Sequence, residues 1–179
     1  RPQVDDFEAF VTLYQQLSNE AREEFSCALD IAYGEKPGEK LDVFMPDSAA
    51  GAPVHFFIHG GYWQSMDKSD FDYVAKGLVP RGAVTVVVNY TLAPEVHIDE
   101  IVRQNRAALA WTWKNIAQYG GDPENIHVSG HSAGGHLTAM MGATDWPGFD
   151  SDLPGNLVKS GLPISGVFEL EPVLKSYLN

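Results

Sequence analysis

"VSGHSAGGHL", residues Val128–Leu137, is the stretch on which the fold of this chain turns. It begins at the end of the apolar run "ENIHVSG" (124–130) and leads into "AGGHLTAMMGA" (133–143), whose composition suits a helix. Gly130-His131-Ser132-Ala133-Gly134 fits G-x-S-x-G. A strand before it and a helix after it are the context that a nucleophile elbow requires. A serine held in so tight a turn leaves no room for neighbouring side chains, which accounts for the flanking glycines. The following helix aims unpaired N–H groups at the turn. Ser132 is therefore the candidate nucleophile, and the backbone N–H of Ala133 a candidate donor to an oxyanion. A serine hydroxyl is a poor nucleophile at neutral pH, so the site also needs a base and further donors.

Outward from the elbow, three more runs lack polar alternation: "PVHFFIHGG" (53–61), "AVTVVVNY" (83–90) and "VKSGLPISGVF" (158–168). Such runs suit strands of a parallel sheet covered on both faces. Helical patterns lie between them. One covers 67–79, with Phe71, Val74, Ala75 and Leu78 on a face; another covers 98–119 and is closed by Gly120 and Gly121. Near the start, "CALDIAYG" (27–34) and "KLDVFMP" (40–46) flank "EKPGE" and read as an antiparallel pair. A first helix is expected behind an Asp5 cap, carrying Phe7, Phe10, Val11, Leu13, Tyr14 and Leu17. Strand and helix alternate, so the class is α/β, and residues 1–179 form a single domain.

The second chemical motif is "HGGYWQ", His59–Gln64, at the end of the run 53–58. Glycines there let the backbone turn and present N–H groups, so Gly61 and Tyr62 join Ala133 as candidate oxyanion donors. His59 and Gly60 brace that loop. Tyr62 and Trp63 either wall a pocket for a flat substrate or cap the core beneath the loop, and Trp63 is assigned to substrate. His131 is assigned to the substrate surround as well, although beside the serine in an elbow it points away from it.

Twelve basic and 24 acidic residues give a net charge of −12, which offers no electrostatic footprint for nucleic acid or an anionic membrane. The single cysteine, Cys27, excludes an internal disulfide framework and fits a reducing, cytoplasmic setting. No apolar run approaches the ~20 residues of a membrane span. No metal-ligand spacing and no phosphate-binding glycine-lysine motif is present.

"HGGYWQ", "YTLAPE" (90–95), "GGDPENI" (120–126) and "GHSAGGH" (130–136) together resemble the α/β-hydrolase superfamily, on its hormone-sensitive-lipase and carboxylesterase branch. The H-G-G-x-W pattern is similar to arylformamidases, also called kynurenine formamidases, which hydrolyse N-formylkynurenine. "LDIAYGEKPGEKLDVFMP" (29–46) and "ISGVFELEP" (164–172) extend the likeness, which covers roughly residues 25–175. The resemblance implies a three-layer α/β/α fold, a mostly parallel sheet with antiparallel N-terminal strands, and a small-molecule substrate. It also implies Ser132 as nucleophile, Gly61, Tyr62 and Ala133 as oxyanion donors, and no cofactor.

That superfamily orders its triad as serine, acid, histidine. Of six histidines here only His136 follows Ser132, four residues on, where it reads as a structural or solvent-facing residue of the elbow helix. None of Asp145, Asp150, Asp152, Glu169 and Glu171 precedes a further histidine, and Lys159 and Lys175 have no surroundings that would depress a lysine. The expectation is that the catalytic acid and histidine lie beyond Asn179 and that the fold is incomplete at its C-terminus. An open sheet edge at 160–168, inviting association into a homo-oligomer, would follow. The leading reading is a serine hydrolase of small amides or esters. A general carboxylesterase or thioesterase, and a non-catalytic binding module on the same fold, are its competitors.

Overall fold

The computed structural model describes residues 7–175. The expected Asp5 cap lies outside the described residues. Six strands form one sheet in the order β1-β2-β4-β3-β5-β6. They are β1 (Ser26–Ala32), β2 (Lys40–Met45), β3 (Ala52–Ile58), β4 (Val84–Val88), β5 (Gly121–His131) and β6 (Val158–Ile164). β1 and β2 pair antiparallel, as do β2 and β4; the pairs β4-β3, β3-β5 and β5-β6 are parallel. The N-terminal antiparallel pair and the parallel remainder are those the sequence predicts.

All five residues of β4 are buried, since both faces of the sheet are covered there. On one face α3 (Ile98–Asn115) and α4 (Ala133–Gly142) pack on Val54, Phe56 and Ile58 of β3, Val84, Val86 and Val88 of β4, and Ile126 and Val128 of β5. On the other, α1 (Phe7–Glu24) and the chain from 68 to 81 cover Phe44, Phe57 and Val87. α3 ends in a short 3-10 turn, and Gly120 closes it in the left-handed conformation at φ 80°. That is the stop signal read at Gly120-Gly121.

The continuous helix expected over 67–79 does not form. The segment breaks into 3-10 turns at Lys68–Asp70 and Asp72–Val74, a single α-helical turn, α2 (Ala75–Leu78), and a further 3-10 turn at Val79–Arg81. Asp67 caps the first turn by accepting the Ser69 N–H at 2.9 Å, and Phe71, at φ −121° and ψ 2°, leaves helical geometry. Lys68 is drawn inward to Asp42 at 2.8 Å and Asp30 at 3.0 Å, which pins this segment to β2 rather than letting it wind on.

β6 is the last strand on its side of the sheet among the described residues, and Leu162 and Ile164 on it are 63% and 42% exposed. A polar row crosses the sheet nearby, as Thr85, His55, His127 and Ser160 face one another in register. His55 Nε2 meets Ser129 Oγ at 2.7 Å, while its buried Nδ1 has no hydrogen-bond partner. Burial, and secondarily the charge of His127, pushes His55 down to about 4. Below pH ~6.5 the unfolded chain takes up a proton that the folded one refuses until about pH 4, so stability falls with acidification across that window. The loss totals about 3 kcal/mol. In His55→Gln, denaturant unfolding at pH 7 and pH 4.5 is expected to show a smaller difference than in the parent protein; equal differences would refute the assignment.

Candidate active site

The elbow is built by contact between backbones. Ser132 sits at φ 57° and ψ −116°, a conformation that costs an L-residue on the order of 1–3 kcal/mol. Its N–H donates to Ile164 O at the end of β6 (2.9 Å), and its carbonyl accepts the His136 N–H at 3.1 Å, starting α4. Gly134 shows why small residues surround it: a Cβ there would lie 2.1 Å from Ile58 O and 2.7 Å from His59 O. The first turn of α4 therefore rests directly on the end of β3.

The loop after β3 arrives at the same place. A Cβ on Gly60 would sit 3.3 Å from Ser132 Cβ and 2.7 Å from His131 O, so the H-G-G segment lies against the serine. Gly61 (φ 105°), Tyr62 (φ 52°), Trp63 (φ 61°) and Met66 (φ 74°) all take left-handed backbone. At Gly61 glycine is obligatory, since a Cβ would strike Ser65 O at 2.2 Å. The Gly61 carbonyl accepts the N–H groups of Gln64 and Ser65, both at 3.0 Å, which closes the turn. The N–H groups of Gly61, Tyr62 and Ala133 donate to no backbone carbonyl outside helices and strands among the described residues.

The structure seats Gly60 against Ser132, with Gly61 and Tyr62 following in the same loop and Ala133 opening α4, and it turns two assigned side chains elsewhere. Trp63 does not wall a pocket. It is 1% exposed, packs edge-on against His136 (5.4 Å, 84°), and caps the core beneath the loop. Tyr62 is 51% exposed and is the aromatic ring left outside. His131 is exposed at the end of β5, opposite Ile164.

No histidine among the described residues hydrogen bonds the Ser132 hydroxyl. His55 and His127 bond Ser129 and Ser160, and His59 bonds Gly60 and Asn89. His97 precedes α3 and is exposed. His136 is 7% exposed against Trp63, so it is structural rather than solvent-facing, and burial lowers its pKa.

Three groups at the site have no motif of their own: Asn89, Asp67 and the Ile164 carbonyl. Asn89 could have been found from strand register, because it follows Val88, the partner of Ile58, and so stands beside His59. A cavity of ≈ 320 Å³ lies next to it at the end of β4, walled by Gly38, Met66, Asp67, Asn89, Thr91 and Glu95. Among the described residues no group of three or more His, Cys, Asp or Glu side chains could hold a metal ion, and no helix is long and apolar enough to cross a membrane.

Several known proteins are similar to this chain. Kynurenine formamidase of Danio rerio is 35% identical over 100% of this chain and 59% of its own length. Esterase LipQ of Mycobacterium tuberculosis is 38% identical over 79% of this chain and 35% of its own. A solved structure from Silicibacter sp. TM1040, described as a candidate thioesterase, superposes with a TM-score of 0.81 at 29% identity, covering 99% of this chain and 65% of that one. The chain thus spans about three-fifths of the length of the formamidase it matches. The elbow, the glycine loop against it and strands β3 to β6 fall within residues 41–167, the span matched by the BD-FAE family model, and the chain belongs to that family within the α/β-hydrolase superfamily.

Proposed function

We propose that the protein is a serine hydrolase of small amides or esters, with an aryl formamide of the N-formylkynurenine type as its substrate. The observation that carries this is the contact between Gly60 and the strained Ser132, which sets a row of left-handed loop residues beside a serine hydroxyl. In the reaction Ser132 Oγ attacks the formyl carbon while a histidine takes its proton. The carbonyl electrons move onto oxygen, and the Gly61, Tyr62 and Ala133 N–H groups hold the resulting anion. Collapse breaks the carbon–nitrogen bond, and the aniline nitrogen leaves with the proton from histidine. Water then repeats the sequence on the formyl-serine and releases formate.

The histidine and its orienting acid are assigned to chain outside residues 1–179, for which the greater length of the formamidase relative leaves room. Tyr62, exposed beside Gly61, is the aromatic surface for an aryl substrate. The 35% identity to a kynurenine formamidase across the whole chain supports the formamide reading. The likeness to esterase LipQ supports ester or thioester hydrolysis as the second reading. Turnover of a formanilide against a short-chain aryl ester separates the two.

Treatment of the full-length protein with a fluorophosphonate, followed by intact-mass measurement, tests the mechanism. One adduct, lost in Ser132→Ala, is expected. A protein that stays unlabelled would leave the non-catalytic reading in its place.

A further inference from the structure

His59 is fully buried, directly precedes Gly60 and is stacked on Tyr90 (4.3 Å, 6°) and Phe71 (5.8 Å, 15°). Both ring nitrogens are engaged. Nδ1 lies 2.7 Å from Gly60 O and Nε2 lies 3.0 Å from Asn89 Oδ1. Asn89 Nδ2 in turn donates to Asp67 Oδ2 at 2.7 Å, and the other Asp67 oxygen accepts the Ser69 N–H.

The polarity of this chain follows from its ends. A carbonyl only accepts, so Nδ1 carries a proton. An ionised carboxylate only accepts, and the Asp67 carboxyl is held below the usual range: burial works against this, but the Ser69 hydrogen bonds, Lys68 and His59 prevail. The Asn89 amide must therefore turn its NH2 to Asp67 and its oxygen to His59, so Nε2 must donate as well. A neutral ring would set its lone pair against the Asn89 oxygen, or turn that oxygen onto the carboxylate. Burial alone drives the pKa of this ring down, against the Gly60 carbonyl, Asn89 and the charges of Asp67 and Asp70; the geometric requirement that both ring nitrogens donate outweighs burial here. The Tyr90 ring face adds a cation–π contact.

We propose that Asp67, acting through Asn89, keeps His59 as a doubly protonated imidazolium, and that this chain of hydrogen bonds aims the oxyanion loop. The aiming is direct. The Gly60 carbonyl and the Gly61 N–H belong to one planar trans peptide, so holding the carbonyl on His59 turns that N–H to the opposite side. Asp67 and Asn89 are positioning residues, and their functional meaning rests on Ser132 being the nucleophile.

The test is long-range 1H–15N NMR of the histidine rings in the full-length protein near pH 8, about 1.5 units above the ordinary imidazole pKa of ~6.5. Two protonated nitrogens are expected for His59. In Asp67→Asn the cap on Ser69 survives, because the new amide keeps one oxygen. Its NH2 now faces Asn89, which turns over and donates to Nε2, so one ring proton is lost. Fluorophosphonate labelling of Ser132 should slow by about 10-fold in the same variant. An unprotonated nitrogen on His59 in the parent protein overturns the proposal even when Ser132 labels normally. Two protonated nitrogens in a protein whose Ser132 never labels uphold the relay and remove the hydrolase reading instead.

Discussion

Replacing Ser132 with glycine in the full-length protein is expected to lower kcat/KM for formanilide and aryl ester alike by about 10⁴-fold or more, while making the fold more stable. The first effect follows, under the proposed mechanism, from removing the hydroxyl that attacks. The second follows from the backbone at φ 57° and ψ −116°, which glycine adopts without penalty. The gain should be about 1–2 kcal/mol in denaturant unfolding. Opposite signs in the two measurements distinguish a strained functional residue from a serine that merely fills a turn. A stable variant with intact turnover would eliminate Ser132 as nucleophile, and a variant that loses both would mean the turn is not strained.

The second large effect is at Gly134. Alanine is favoured over glycine in a helix by about 1 kcal/mol, so Gly134→Ala would stabilise α4 if space were the same throughout. It is not: the new Cβ would meet the backbone oxygens of Ile58, at the end of β3, and of His59 just after it, at 2.1 and 2.7 Å, and neither can swing aside as a flexible side chain would. The helix must lift from the sheet. Gly134→Val is expected to cost more than about 4 kcal/mol or to prevent folding, with Gly134→Ala between it and the parent. Gly142, in the last turn of the same helix, has nothing within 4 Å of its Cβ position. Gly142→Ala is therefore the control, expected to be neutral or stabilising by up to about 1 kcal/mol. Equal effects at both positions would show that helix propensity and not close approach governs the elbow.

Much of this was legible in the sequence because the signals are short-range. The glycines around Ser132 and after His59, the valine run of β4 and the Pro-Gly turn between β1 and β2 each act within a few residues. The segment 67–79 misled because its apolar spacing is helical, while what breaks it is remote: Lys68 is pulled towards Asp42 on β2, 26 residues away in sequence. Trp63 misled for a related reason. Whether an aromatic beside a loop faces the ligand or the core depends on a backbone twist that residue type does not encode. The Asp67–Asn89–His59 chain needs three segments brought together, and only strand register, Ile58 beside Val88, points to it.

The bond between the Ser132 N–H and the Ile164 carbonyl makes the two sides of the elbow answer to different strands. On one side α4 rests on β3 in the middle of the sheet. On the other the serine amide hangs from Ile164, the last residue of β6, which is held in register with His131 of β5. A slip of β6 against β5 would therefore carry the Ser132 amide with it, while Gly134 stays seated against Ile58. Whatever fixes that register also fixes the aim of the serine.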